Sequence, residues 1–156
     1  FEAFCSLQQA KEEEVGLSRM TAGFAWKWET KKHKDAFDIV IESIPKRWNS
    51  SQKDWVNSPN AVNEVGCIHT VQGYDLNYGF VILGPDIYYD NDKGVVCVNK
   101  ANFKDAVAKK KASDDDLRKI IVNAYYVLMT RGMLGTYLYV CDPALKEYLS
   151  RYIPLI

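Results

Sequence analysis

The sequence lacks the long apolar run that a membrane-spanning helix needs. Hydrophobic residues make up 47% of its 156 residues and charged residues 26%, as in an ordinary globular domain, and no apolar stretch approaches the roughly 20 residues that span a bilayer. It also lacks an excess of charge, because 20 basic residues balance 20 acidic ones. We therefore expect one domain with no membrane partner, and the net charge does not indicate a polyanionic one.

The spacing that zinc ligands require is missing as well. The four cysteines include no C-x-x-C pair, and the chain has only two histidines. Three of the cysteines lie inside apolar runs, where cysteine commonly serves as a small buried hydrophobic residue. The pattern predicts a cytoplasmic protein without a metal site.

Two motifs of nucleotide hydrolysis are also absent. The phosphate-binding pattern G-x-x-x-x-G-K-[ST] does not occur, and neither does a following Asp-Glu pair on an apolar strand to hold magnesium. On its own, this chain is not expected to hydrolyse ATP. It begins with Phe1 rather than Met, which leads us to expect a piece of a longer protein.

What the sequence does contain is an alternation of strand and helix patterns without a repeat. Strand patterns cover residues 19–28, 38–42, 64–68, 80–84 and 136–141. Helix patterns cover residues 4–14, 103–111, 113–131 and 144–152. A turn-rich segment at 90–94 predicts a hairpin over residues 86–98. This order predicts an α/β fold, with a mainly parallel sheet covered by helices and an added antiparallel hairpin.

Three local expectations are specific enough to be tested by the structure. Trp26 and Trp28 should share one face of the first strand, more as packing residues than as base-stacking ones. The strand over 38–42 should be closed by Ile44-Pro45, because proline cannot donate to a ladder. Most of the helix over 113–131 should be buried, and Gly132 should end it.

The most informative stretch covers residues 64–84. It contains an apolar strand, the polar turn HTVQGYD at residues 69–75 pinned by Gly73, and a second apolar strand. A turn of this kind usually presents its side chains rather than hiding them. Functional residues are therefore expected here first.

The turn is similar to a motif of known enzymes. HTVQGYD resembles the H-x-x-Q-G-x-E segment in the second RecA-like domain of superfamily-one helicases, and YVLMTRG at 126–132 resembles their V-A-L-T-R-A segment. More closely, AGFAWKW at 22–28, EVGCIH at 64–69 and NAY at 123–125 resemble the C-terminal part of a bacterial helicase-like family. That family is labelled domain of unknown function 2075 and is related to the Schlafen helicase core. The resemblance covers most of the chain from Arg19 onward.

The resemblance implies a fold and a set of partners. The fold would be a RecA-like domain of the P-loop-NTPase type, the second helicase lobe, which lacks its own P-loop. Residues 1–18 would form a leading helix or linker from a missing N-terminal lobe, and residues 19–156 the second RecA-like domain. ATP with Mg²⁺ would bind only in the intact two-lobe protein, against an N-terminal RecA-like P-loop domain. DNA or RNA would be the other partner.

The resemblance also assigns roles to the nucleotide-facing residues. Arg131 would be an arginine finger, which places positive charge at the γ-phosphate, and Gln72 would sense that phosphate. Asp75 stands where the motif has Glu and would accept a hydrogen bond from a ribose hydroxyl. Each of the three has a structural alternative. For Arg131 it is a helix-end arginine that interacts with the helix dipole. For Gln72 it is a turn amide bound to its own backbone, and for Asp75 an Asx-type turn.

Further residues are assigned by the same motifs. Gly73 and Thr130 would belong to the nucleotide site, and Arg19 would be a second phosphate-reaching arginine. His69 and Thr70 would contact nucleic acid, although a lone histidine at a strand end is equally well read as a hydrogen-bonded structural residue.

The function implied is the C-terminal half of a nucleic-acid-dependent ATPase, a helicase or translocase. An alternative is a noncatalytic module that retains the motor fold and binds nucleic acid or a protein. A third is a small-ligand α/β domain, in which neither the 69–75 turn nor Arg131 would line the main pocket.

Overall fold

A four-stranded parallel sheet forms the centre of the computed structural model, which describes residues 1–156 apart from the side chain of Asp114. In chain order the elements are α1 (Glu2–Val15), β1 (Ser18–Ala22), β2 (Ile39–Ile41), β3 (Ile44–Lys46), β4 (Val65–Gly66), α2 (Ile68–Val71), β5 (Leu76–Leu83), β6 (Ile87–Asp90), β7 (Val95–Val98), α3 (Ala106–Lys111), α4 (Asp114–Met129), β8 (Gly132–Val140) and α5 (Pro143–Ser150). Short 3₁₀ turns occupy Glu29–Lys31 and Trp55–Asn57.

The sheet has the strand order β4-β1-β5-β8, and all three strand pairs are parallel. Parallel strands bring their amino ends to one edge of the sheet and their carboxyl ends to the other. We call these the amino edge, which carries the residues just before each strand, and the carboxyl edge, which carries those just after. The predicted α/β fold, with a parallel sheet flanked by helices and an antiparallel β6–β7 hairpin, is confirmed, and it is consistent with a RecA-like lobe.

The central strand β5 is apolar on both faces because both faces are covered. Phe80 and Ile82 pack into one core with α1 and the β2–β3 hairpin, whereas Val81 and Leu83 pack into a second core with α2 and α4. Such continuous apolar strands are typical of parallel sheets with helices on each side. The ring of Phe4 on α1 lies 5.2 Å from that of Phe80, so α1 packs on the sheet; a domain boundary after residue 18 stays a prediction.

Most predicted helices are confirmed, with ends shifted by a few residues. Asp105 caps α3, Ser113 caps α4, and Asp142 caps α5 with Pro143 in the first helical position. No helix in the described part of the chain is long and apolar enough to cross a membrane.

The predicted first strand over 19–28 is too long. β1 ends at Ala22, and the next residue, Gly23, lies against the ring of Tyr125, where an added Cβ would sit 2.6 Å from the ring and the hydroxyl. The chain then turns, so Trp26 and Trp28 do not share a strand face. Trp28 packs against Trp48, with ring centroids 5.8 Å apart, which supports the packing interpretation.

Ile44-Pro45 does not close the second strand but lies on its partner, β3. A two-residue turn joins β2 to β3, with Glu42 at φ 48° and Ser43 at φ 69°. Both backbones are left-handed, as in the tight hairpin turns that usually contain Asn or Gly. A proline is tolerated on β3 because this two-stranded sheet has only edge strands.

The prediction that α4 is mostly buried is wrong. Its buried face consists of Leu117, Ile121, Tyr125 and Leu128, while Ile120 is 40% and Tyr126 64% exposed. Gly132 does not cap the helix either: α4 ends at Met129, and Gly132 is the first residue of β8. A Cβ there would lie 2.1 Å from the carbonyl oxygen of Gly135, so the strand start needs a glycine.

Candidate functional site

The last residues of the 69–75 turn and the end of α4 meet at the amino edge. Leu76, the first residue of β5, pairs with Gly132, the first residue of β8, and its N–H donates to the carbonyl oxygen of Arg131 at 2.9 Å. The residues immediately before these two strands, Asp75 and Arg131, are therefore neighbours. Sequence spacing could not show this convergence, because it depends on which strands pair.

The turn reaches the amino edge through a single helical turn. β4 ends at the carboxyl edge, and α2 leads the chain back across the sheet; the predicted polar turn is thus partly helical. Thr70 stabilises α2 by accepting a hydrogen bond from the Cys67 N–H at 3.1 Å and donating to the Cys67 carbonyl at 2.9 Å. Gly73 then adopts φ 88° with nothing within 4 Å of an added Cβ, which exposes the backbone at this point.

The side chains at this edge are open to solvent and largely uncommitted. Gln72, Asp75 and Thr130 are exposed, and Arg131 is half-buried. Among the described residues, the Gln72 amide and the Asp75 carboxylate make no side-chain hydrogen bond, so the backbone-bound turn amide and the Asx-type turn are not observed. Thr130 donates its hydroxyl hydrogen to the Val127 carbonyl at 3.0 Å.

The Arg131 side chain is held at Nε, whereas its terminal nitrogens make only one long contact with the described residues. Its Nε donates to the carbonyl oxygen of Val127 at 3.2 Å, and one terminal nitrogen lies 3.5 Å from the Thr130 hydroxyl. The first contact is the helix-end interaction of the structural alternative. No carboxylate among the described side chains pairs with Arg131, so its charge stays available to an anionic ligand.

Arg19 is not part of this open group. It is 6% exposed, and its guanidinium donates to Glu12 at 2.7 Å, to the Val56 carbonyl at 2.8 Å and to the Ser18 carbonyl at 3.1 Å. These contacts tie α1 and the Trp55 segment to β1. No contact supports the prediction that Arg19 reaches a phosphate.

His69 and Thr70 lie away from the amino edge group. Thr70 is buried, and its hydroxyl is fully used in capping α2, so it does not face an open surface. His69 is exposed at the carboxyl edge, with its ring centroid 5.8 Å from that of Phe24. Its imidazole makes no hydrogen bond to the described residues, so the alternative of a hydrogen-bonded structural histidine is not observed.

A small cavity lies at the carboxyl edge. Its volume is about 80 Å³. His69 lines it, but Gln72, Asp75 and Arg131 do not. The lining residues are Gly23, Phe24, Ile68, His69, Asp86, Phe103, Asp105, Ile120, Ile121, Ala124 and Tyr125.

The cavity contains a buried Asp–Tyr pair that the sequence reasoning missed. The Tyr125 hydroxyl donates to Asp86 Oδ1 at 2.5 Å and accepts from the Gly84 N–H at 3.0 Å. Burial raises the pKa of Asp86 to about 6, although the hydrogen bond from Tyr125 acts in the opposite direction. Burial and the Asp86 charge raise the pKa of Tyr125 well above its usual value. Asp86 could have been suspected from sequence, since it follows the carboxyl end of a buried parallel strand.

Comparison with known proteins places the chain in a family. A family model described as the Schlafen group 3, DNA/RNA helicase domain matches residues 2–142. The chain belongs to this Schlafen helicase family. The match includes both edges of the sheet and begins within α1.

One relative of this Schlafen helicase domain is an uncharacterized protein of Saccharomyces cerevisiae. The two are 33% identical over 150 residues, which cover 90% of this chain and 33% of the yeast protein. The chain thus spans about a third of that relative's length. No solved structure matches it.

The family comparison refines the sequence-based interpretation. A Schlafen-related, helicase-like family is confirmed. The narrower bacterial family labelled domain of unknown function 2075 is not shown, and the yeast relative lends no support to a bacterial origin.

Proposed function

We propose that this Schlafen helicase domain is the second lobe of a nucleic-acid-dependent ATPase, a helicase or translocase. It would complete an ATP site whose P-loop lies in an N-terminal lobe of the same protein. The observation that carries the proposal is the pairing of Leu76 with Gly132, which brings the 72–75 segment and Arg131 to one solvent-open edge. A group of polar side chains with few internal partners suits a ligand brought by another lobe.

Arg131 would act on the transferred phosphoryl group. Phosphoryl transfer needs little covalent help and much positive charge near the γ-phosphate, and an arginine there raises the rate by roughly a thousandfold or more. The Val127 carbonyl holds Nε of Arg131, so the guanidinium begins from a fixed position and loses less conformational freedom on binding.

The neighbouring residues would recognise other parts of the nucleotide. The Gln72 amide can donate to a phosphate oxygen or orient the attacking water, and the Asp75 carboxylate can accept from a ribose hydroxyl. Gly73 leaves room for a close approach, and Thr130 contributes a hydroxyl beside Arg131.

ATP would bring Mg²⁺, which neutralises the charge that develops on the phosphates. The described side chains include no group of three or more His, Cys, Asp or Glu that could hold a metal ion. We assign the protein ligands of Mg²⁺ to the P-loop lobe, while this lobe supplies the guanidinium, the amide and the carboxylate.

The experiment is ATP hydrolysis by the intact two-lobe protein carrying Arg131→Ala. We expect kcat to fall by about a hundredfold to a thousandfold, while the KM for ATP changes by less than about threefold, because the lost charge acts mainly in the transition state. Arg131→Lys should recover only part of the rate, since a lysine ammonium lacks the planar fork of arginine.

A matched control is Arg118→Ala, at the opposite end of α4. Arg118 is exposed and donates to the Val96 carbonyl at 3.3 Å, so its loss should leave kcat unchanged. An Arg131→Ala protein as active as the wild type would refute the finger role. An intact protein that binds nucleic acid but does not hydrolyse ATP would favour the noncatalytic module.

A further inference from the structure

β8 contains a bulge that starts directly after Arg131 and Gly132. The β5–β8 ladder begins with the pair Leu76–Gly132. The following pair is Tyr78–Gly135, so β8 has one residue more than β5 between the two pairs. A bulge of this kind bends the strand, and bulges are common beside active sites, where they direct a side chain. The backbone next to Arg131 therefore departs from a regular strand and needs its own contacts to hold it.

Thr136, the residue after Gly135, provides one such contact at the end of α4. Its hydroxyl donates to the carbonyl oxygen of Met129 at 2.9 Å. Met129 is the last residue of α4, and the last four carbonyl groups of a helix have no partner within that helix. The side chain of Thr136 thus pairs with a free helix-end carbonyl that lies two residues before Arg131.

Two glycines leave the space that the Thr136 hydroxyl occupies. A Cβ on Gly132 would lie 2.8 Å from Thr136 Oγ1. A Cβ on Gly79, the partner of Thr136 on β5, would lie 3.3 Å from the same oxygen. The first distance is closer than real Cβ contacts come, and the second is tighter than most of them. The hydroxyl therefore sits in a slot that glycine keeps open on both strands.

We propose that Thr136 is a positioning residue for Arg131: by holding the last carbonyl of α4, its hydroxyl fixes where the Arg131 guanidinium lies. Two backbone groups share this task. The Leu76 N–H donates to the Arg131 carbonyl at 2.9 Å, and the Val127 carbonyl accepts from Arg131 Nε at 3.2 Å. Thr136 contributes through its side chain, so its contact can be removed without changing the backbone. The inference rests on the proposed function, because Thr136 acts through the arginine finger.

The test is ATP hydrolysis by the intact protein carrying Thr136→Val, which keeps nearly the same shape and removes the donor. We expect kcat to fall by about tenfold and the KM for ATP to change by less than about threefold, because a displaced arginine loses its effect mainly in the transition state. Thr136→Ser keeps the hydroxyl and should hold kcat within about threefold of the wild type.

A matched control is Thr21→Val on β1. Thr21 is buried, but its hydroxyl makes no hydrogen bond to the described residues. The same substitution there should leave kcat unchanged. Thr136→Ala removes the donor without placing a methyl group against the Met129 carbonyl. It should lower kcat as Thr136→Val does, and it replaces that variant if thermal melts show that Thr136→Val is not folded.

A double variant separates positioning of Arg131 from general support of the fold. In the Arg131→Ala protein, adding Thr136→Val should lower kcat by less than about twofold, because the residue through which Thr136 acts is already gone. A tenfold loss that persists in that background overturns the positioning role, as does full activity of Thr136→Val when Arg131→Ala is impaired. Both of these results leave the proposed function intact. An Arg131→Ala protein as active as the wild type overturns the finger role and the positioning role together.

Discussion

The two edges of the parallel sheet differ in how far their polar side chains are already paired within the protein. At the amino edge, Gln72 and Asp75 are exposed and make no side-chain hydrogen bonds among the described residues. At the carboxyl edge, Asp86 and Tyr125 are buried and bonded to each other at 2.5 Å. The amino edge therefore leaves polar side chains free, whereas the polar pair at the carboxyl edge is already bonded within the protein.

The difference has consequences for stability. Removing an exposed, unpaired side chain changes the free energy of unfolding little, whereas removing one half of a buried pair leaves the other half unpaired. Substitutions at the amino edge should therefore affect activity without affecting stability. Substitutions at the carboxyl edge should affect both.

The largest expected effect is a pH dependence of stability that originates at Asp86. Its pKa rises from 3.8 to about 6 on folding, so between these values the folded protein binds a proton that the unfolded chain has released. The contribution of Asp86 to the free energy of unfolding should therefore be largest below about pH 4 and be lost as the pH rises through 6. The contribution is about 3 kcal/mol, because one pKa unit corresponds to about 1.4 kcal/mol.

Urea unfolding of the wild type and of Asp86→Asn across this pH range measures the effect. The difference between the two curves isolates Asp86 from other titrating groups. One of these is Asp90, whose pKa is lowered by its hydrogen bond with Lys93, so its contribution to the free energy of unfolding changes with pH in the opposite direction. The Cys141 thiol, whose pKa is raised by burial and by the Asp86 charge, titrates far above this range. Parallel curves for the two proteins would contradict the assignment.

The second effect compares two adjacent tyrosines on α4. Tyr125→Phe removes the hydroxyl that donates to Asp86 and accepts from Gly84, so it should lower the free energy of unfolding by about 1–3 kcal/mol. Tyr126→Phe is the matched control: Tyr126 is 64% exposed, and the same substitution should change stability by less than about 0.5 kcal/mol. Equal losses for the two variants, measured in the same buffer, would show that the Tyr125–Asp86 bond does not stabilise this edge.

These tyrosines also show what the sequence could not predict about α4, namely which residues form its buried face. The three-and-four spacing on α4 predicted an apolar stripe that included Ile120 and Ala124, but the helix is rotated so that Tyr125 is buried and Ile120 is exposed. Periodicity gives the existence of a buried face; which residues form its centre depends on the sheet against which the helix packs. A tyrosine was not expected there, because its hydroxyl needs a buried partner that only the folded chain supplies.

The fold class and the amino edge were easier to predict. The alternating strand and helix patterns were sufficient to predict a parallel sheet with an added hairpin, since few chain topologies connect alternating strands and helices. The motifs around Gln72 and Arg131 indicated that both belong to one site. Their convergence could not be derived from spacing, because it depends on β5 pairing with β8, a contact between residues more than fifty positions apart.

The smallest expected effect concerns Asp75 and tests the amino edge alone. Asp75→Ala should raise the KM for ATP of the intact protein by about fivefold, the loss of roughly one hydrogen bond to a ribose hydroxyl. Because the Asp75 side chain is exposed and makes no hydrogen bond among the described residues, the free energy of unfolding should change by less than about 0.5 kcal/mol. Asp75→Glu restores the residue found in the related helicase motif and should keep or lower the KM.

A KM that is unchanged in Asp75→Ala would show that the Asp75 carboxylate does not contact the ribose. A large loss of stability would mean instead that the amino edge is held by internal pairing, as the carboxyl edge is, and the contrast between the two edges would fail.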